Sequence, residues 1–178
     1  MPETEVSTPA VAPGDIMNQL AGLAPTSATT AVRALRPDVV RHSQGSYDAL
    51  VAPPTATGLT LVERTLVALR VAVLTESQPL IAHYQQRLAE LGIAGPMLAA
   101  VTVRNGTTVA APRLAAIIRH VDLLTGTPGQ ATPADLQQLQ AAGLSGPEIV
   151  TLAQLIAFLS FQVRVLPVLS LLGEGETA

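Results

Sequence analysis

From Thr60 to Gly92 the chain reads TLVERTLVALRVAVLTESQPLIAHYQQRLAELG, two apolar helices joined by a tight break at Leu74 to Gln78. Thr60 and Glu63 form a T-x-x-E capping box ahead of Leu61, Leu66, Leu69 and Val73, so the first helix starts at a defined residue. Thr75 with Gln78 repeats the capping pattern, and Pro79 falls in the first turn, where its missing N–H costs nothing. The second helix presents Leu80, Ile81, Tyr84 and Leu88 and stops at Gly92, a left-handed cap. An apolar helical pair of this kind needs other helices to cover it.

The flanking sequence supplies them. Asp15 caps DIMNQLAGL before Pro25, Ser27 opens ATTAVRALR, and Pro37 starts PDVVRHSQGSYDALV. Residues 96 to 104 are expected as a short helix followed by a loop, with a hairpin at Asn105-Gly106 as the alternative. Helices are expected near 61–74, 77–91, 112–125, 133–142 and 147–171, with Pro167 kinking or ending the last. Thr132 with Asp135 and Ser145 with Glu148 set two of the starts. Residues 1–13, with three prolines, read as a disordered tail, 14–172 as one domain, and 173–178 as a loose end. The fold class is all-α, a bundle of about eight helices.

Composition narrows the chemistry. Only four aromatic residues occur, Tyr47, Tyr84, Phe158 and Phe161, so the core is aliphatic. All 10 basic residues are Arg, which removes any Lys nucleophile or Schiff base. There is no Cys, so disulfides, thiolate metal sites and thiol redox steps are unavailable to this chain alone. The net charge of −3 with scattered Arg argues against nucleic acid. The acidic, Pro-rich start is unlike a signal peptide, and a bacterial, cytoplasmic location is the default expectation. Ile149 to Val163 is uncharged for only fifteen residues, short of the roughly twenty that span a bilayer, so no membrane is expected.

Three stretches carry a resemblance: GLTLVERTLVALRVAVL followed by AHY, RPDVVRHSQGSYDALV, and RHVDLLTGTPGQATPADLQQLQAAGLSGPEIVTLAQLIAFLSFQVRVL. In their order along the chain they resemble the carboxymuconolactone decarboxylase-like superfamily with its alkyl hydroperoxide reductase D-like (AhpD-like) peroxidases, in a Cys-free, peroxidase-related branch. The resemblance covers roughly residues 15 to 172 and implies an AhpD-like helical bundle. Peroxidase members of that family carry E-x11-C-x2-C-x3-H. Anchored on His83, the pattern puts Glu76 and Pro79 at the thiol positions and Arg64 at the Glu position, with Glu63 one residue away. The family's peroxide chemistry has no sulfur to act on here.

What the motif keeps is His83. Glu76 seven residues before it and Arg87 four after it share a helix face by spacing, and a His so placed can serve as a general base. The alternative is a packed, structural His. Glu63 is either the retained family acid or simply the third residue of its capping box. Tyr84, Arg70 and Arg87 are candidates to line a pocket, with core packing and ion pairing as their other roles. His42, His83 and His120 lack ligand spacing, so neither metal nor other cofactor is expected. Three readings follow: an oligomeric binding or assembly protein; a cofactor-independent decarboxylase- or isomerase-type enzyme using His83 with Glu63 or Glu76; or a partner subunit of a Cys-bearing peroxidase paralogue. A surplus of apolar helix surface predicts a homo-oligomer, a dimer, trimer or hexamer, with Ile149 to Leu172 at the interface.

Overall fold

Ten consecutive residues, Arg64 to Val73, are buried on all sides of one helix, which places that helix at the centre of the molecule. The computed structural model describes residues 14–103 and 109–177, and every regular element among them is helical. In order these are α1 (Ile16–Leu20), α2 (Ala28–Ala34), α3 (Pro37–Leu50), α4 (Leu61–Leu74), α5 (Gln78–Glu90), α6 (Pro96–Thr102), α7 (Pro112–Gly126), α8 (Pro133–Ala141) and α9 (Gly146–Thr177). A single 3₁₀ turn at Pro128–Gln130 separates α7 from α8. The central helix α4 packs against α5, α6, α7 and α9.

The starts follow the capping chemistry read from the sequence. Thr60 and Glu63 close a reciprocal box on α4, Thr132 and Asp135 close another on α8, and Ser145 with Glu148 repeats the contact at α9. Each box satisfies helical N–H groups that would otherwise lack partners. The break between α4 and α5 differs from expectation. Thr75 turns its hydroxyl back to the Val71 carbonyl at 2.7 Å and ends α4. Ser77, not Thr75, is the N-cap of α5, and it makes no side-chain cap bond. Residues 96–102 form the preferred helix; the Asn105-Gly106 turn and the tail expected over 1–13 lie outside the described residues.

The end of the chain departs from expectation most. α9 passes through Pro167 and runs to Thr177, through residues expected to be loose. Pro167 is exposed, so the Val163 carbonyl, which loses its amide partner, can turn to water. The extension has its own anchor. Glu176 accepts hydrogen bonds from the backbone N–H of Ala28 (2.8 Å) and Thr29 (2.6 Å) and from the Thr29 hydroxyl. A carboxylate thus meets the free N–H groups and positive dipole end of α2. Elsewhere α9 lays Leu152, Leu155, Leu159 and Leu166 into the core beside α4. It is long and apolar enough to cross a membrane by length and composition, but its inner face is buried against six other helices.

Candidate functional site

His83 sits on α5, half-buried, and looks across to α3 rather than toward an acid. Its Nε2 and the Tyr47 hydroxyl share a hydrogen bond of 2.8 Å, with ring centroids 5.9 Å apart. Tyr84, the next residue, meets the imidazole edge-on at 5.0 Å. Arg87, one turn further along α5, holds its guanidinium carbon 5.8 Å from the Tyr47 ring centre, a cation–π distance. The i, i+4 spacing on α5 therefore does bring His83 and Arg87 onto one face.

The imidazole and both phenols of this cluster are pushed toward their neutral forms. Burial, and then the charge of Arg87, lowers His83 to about 4, with Glu90 acting in the opposite sense. Burial raises the Tyr47 phenol. It raises Tyr84 well above its ordinary value, against the bond that the Tyr84 hydroxyl donates to Gln162 Oε1 at 2.8 Å. Gln162 is itself fully buried and reaches Met17 Sδ at 3.9 Å, so Tyr84 is a core residue tying α5 to α9 and α1. A base that titrates near 4 abstracts protons weakly at neutral pH, and efficient proton transfer wants a pKa near the working pH.

The expected carboxylates are elsewhere. Glu63 remains in its capping box, accepting from the Thr60 N–H at 2.8 Å, and its other oxygen takes Arg113 Nε at 2.8 Å. The same guanidinium donates to Glu148 Oε1 at 2.6 Å and to the Gly143 carbonyl at 3.0 Å. One Arg thereby ties together the starts of α4, α7 and α9. Glu148 is held down at about 2, first by its bonds from Ser145 and then by Arg113. Glu76 adopts a left-handed φ of 57° in the turn before α5, outside the helix whose period would have carried it to His83. The charges that act on His83 are Arg87 and Glu90, not Glu63 or Glu76.

Arg64, aligned with the family's acid, is buried and donates to the carbonyls of Leu59 (2.9 Å), Leu50 (2.8 Å) and Thr57 (3.4 Å). It closes the loop before α4, a structural task. Arg70 is buried too. It grips Asp122 with two bonds, 2.6 and 2.9 Å, and reaches the Val101 carbonyl at the end of α6. Ion pairing was one of the roles expected for Arg70; Asp122 as its partner was not foreseen. Sequence reasoning missed Tyr47 as the partner of His83, Arg113 and Gln162, all joined to their partners over distances no local motif spans. Among the described residues, no three His, Asp or Glu side chains are placed to hold a metal ion.

The arrangement of α4, α5 and the helices around them defines an AhpD-like, peroxidase-related fold. Among the solved structures that share it are an AhpD-core, uncharacterized peroxidase-related protein from Ralstonia eutropha JMP134 and an uncharacterized peroxidase-related protein from Silicibacter sp. TM1040. The first has 19% identity and a TM-score of 0.66, covering 83% of this chain and 76% of its own. The second has 14% identity and a TM-score of 0.70, covering 94% and 90%. No family model and no curated protein matches the sequence. The fold is that of peroxidase-related proteins, and the chain has no cysteine with which to be a thiol peroxidase.

Proposed function

We propose that this chain is a non-redox, AhpD-like subunit whose work is association, as a homo-oligomer, through the outer face of α9. The observation that carries the proposal is a set of large apolar side chains left in water on that helix. Phe161 is 37% exposed, Val168 57%, Leu171 68% and Leu172 54%, and Val32 on α2, Leu35 at the C-cap of α2 and Val39 on α3 stand out beside them. Exposed apolar side chains gathered on neighbouring elements mark an interaction surface more often than scattered single ones do. The neutral Tyr47–His83 pair supports the same reading, because a packed and uncharged pair suits a scaffold better than an acid–base centre.

Light scattering at micromolar concentration tests this directly. A mass of two or more chains is the expected result, and a monomer overturns the proposal.

A further inference from the structure

Two serines leave a gap in the packing of α3 on α9. Val39, Ser43 and Ser46 recur at steps of four and three along α3, the spacing of one helix face, and that face meets Phe158 and Phe161 of α9. Serine is too small to cover a phenyl ring. An open groove of about 360 Å³ remains, floored by the two rings, walled by Val39, Ser43 and Ser46, and bordered by the exposed Asp38 and His42. The rings stack with centroids 6.1 Å apart and planes 25° from parallel.

The hydroxyls in this groove are unbonded. Elsewhere Thr65, Thr75, Thr102 and Thr151 turn theirs back onto the carbonyl four residues earlier, as helical hydroxyls commonly do. Among the described residues, neither Ser43 nor Ser46 has a hydrogen-bond partner for its side chain. Ser43 is only 8% exposed, so little water reaches a group that can both donate and accept. A buried polar group left unpaired is costly, and a ligand in the groove would relieve it.

The charges at the border are already engaged. Arg41 donates to Asp38 Oδ1 at 2.7 Å and lies 3.3 Å from His42 Nε2. Arginine offers only donors, so in the neutral imidazole Nε2 is the acceptor and Nδ1 keeps the proton. Among the described residues, no unpaired cation lines the groove, and the Asp38 carboxylate repels an anion.

We infer that the groove binds a small, uncharged aromatic molecule carrying a hydroxyl, of the phenol class. Its ring packs on Phe158 and Phe161 in the offset or edge-on contact that aromatic pairs prefer. Its hydroxyl exchanges hydrogen bonds with Ser43 and Ser46. The volume lies at the low end of ligand sites, about 300–1,000 Å³, and suits a single ring. The groove is complete within one chain, so this inference goes beyond association and does not depend on it.

Titration of the full chain with phenol, followed by backbone amide NMR, tests it. Saturable shifts are expected at residues 39–46 and 158–161, with a dissociation constant of about 1 mM or below. Toluene lacks the hydroxyl, cyclohexanol lacks the aromatic face and benzoate carries a charge, so each should bind about fivefold or more weakly. Ser43→Ala should weaken phenol about fivefold and leave toluene unchanged, a selectivity that a general packing defect would not produce. Ser46→Leu should fill the groove and abolish binding with helical content retained by circular dichroism. Shifts that do not saturate or that map elsewhere overturn the inference. So do benzoate, toluene or cyclohexanol binding as tightly as phenol, and a Ser43→Ala variant that affects phenol and toluene alike. Val39 and Phe161 also belong to the face proposed to associate; an oligomer that binds no phenol defeats this inference and leaves association standing.

Discussion

Two clusters of polar side chains on the same scaffold are handled in opposite ways. Around Arg113, two carboxylates share one guanidinium, each group bonded twice or more, with Glu148 held at about 2. Around His83, the imidazole and two phenols are all driven toward their uncharged forms by burial. Ionised groups therefore stand where three helix starts must be tied together. An imidazole and two phenols held toward their neutral forms stand, beside the Arg87 guanidinium, where the resemblance pointed to chemistry. The difference teaches that the Arg113 ion pairs tie helix starts together, while burial holds His83 and its two phenol neighbours toward their uncharged forms.

Removing the charged cluster should have the larger effect. Arg113→Ala leaves Glu63 and Glu148 facing each other without their shared cation. Breaking a fully buried pair costs about 3–5 kcal/mol, and the partial exposure of Arg113 brings this down to about 2 kcal/mol. Urea unfolding measures it. Arg113→Lys should recover only part, since an ammonium cannot fork between two carboxylates. A loss below about 0.5 kcal/mol would mean that the cluster only decorates the surface.

The two clusters should also fail at different acidities. His83 titrates near 4 in the fold against about 6.5 when unfolded, so the unfolded chain binds the proton first. Its contribution is complete above pH 6.5 and is lost as pH falls from there to 4. Glu148 is lowered to about 2 from 4.5, so its contribution survives that window and is lost between 4.5 and 2. The melting temperature should therefore fall in two acid phases. His120, also lowered by burial, adds to the upper one. His83→Gln should flatten the upper phase and Glu148→Gln the lower. An upper phase unchanged in His83→Gln would show that His83 is not held neutral by the fold.

Tyr47→Phe is a gentler probe of the neutral cluster. It removes one hydrogen bond and leaves the ring beneath Arg87, so a loss of about 1 kcal/mol is expected, again from urea unfolding. No change at all would mean that water replaces the hydroxyl without cost. The smallest expected effect is zero: purified protein given hydroperoxide and a dithiol should show no turnover above the uncatalysed rate, since there is no sulfur to oxidise or to recycle. Sustained turnover would break the comparison at its foundation.

Where caps were written locally, the sequence was legible. Thr60 with Glu63, Thr132 with Asp135 and Pro112 set the starts of α4, α8 and α7, because both partners of each signal lie within one turn. The site was less legible for the same reason. Spacing put Glu76 on the face of His83, but that rule holds only inside a helix, and Glu76 lies in a left-handed turn before α5 begins. Tyr47 finds His83 from 36 residues away, with nothing in either segment to announce it. Glu63 could be read as an acid of the site or as a cap, and the Arg113 guanidinium that completes its role comes from α7, 50 residues on. The length of α9 was underread because its last turn is fixed by α2, not by its own propensity.

That last contact bears on how the molecule is made. Glu176 closes the start of α2 across 147 residues of sequence, and Gln162 reaches Met17 across 145. A chain emerging from the ribosome exposes its first three helices long before α9 exists to cover them. The α4–α5 hairpin is local and can collapse early, but α1 and α2 must wait, half-docked, for the final helix. Synthesis speed and chaperone attention over that interval, more than the strength of any one cap, would then govern how much of the protein reaches its native form.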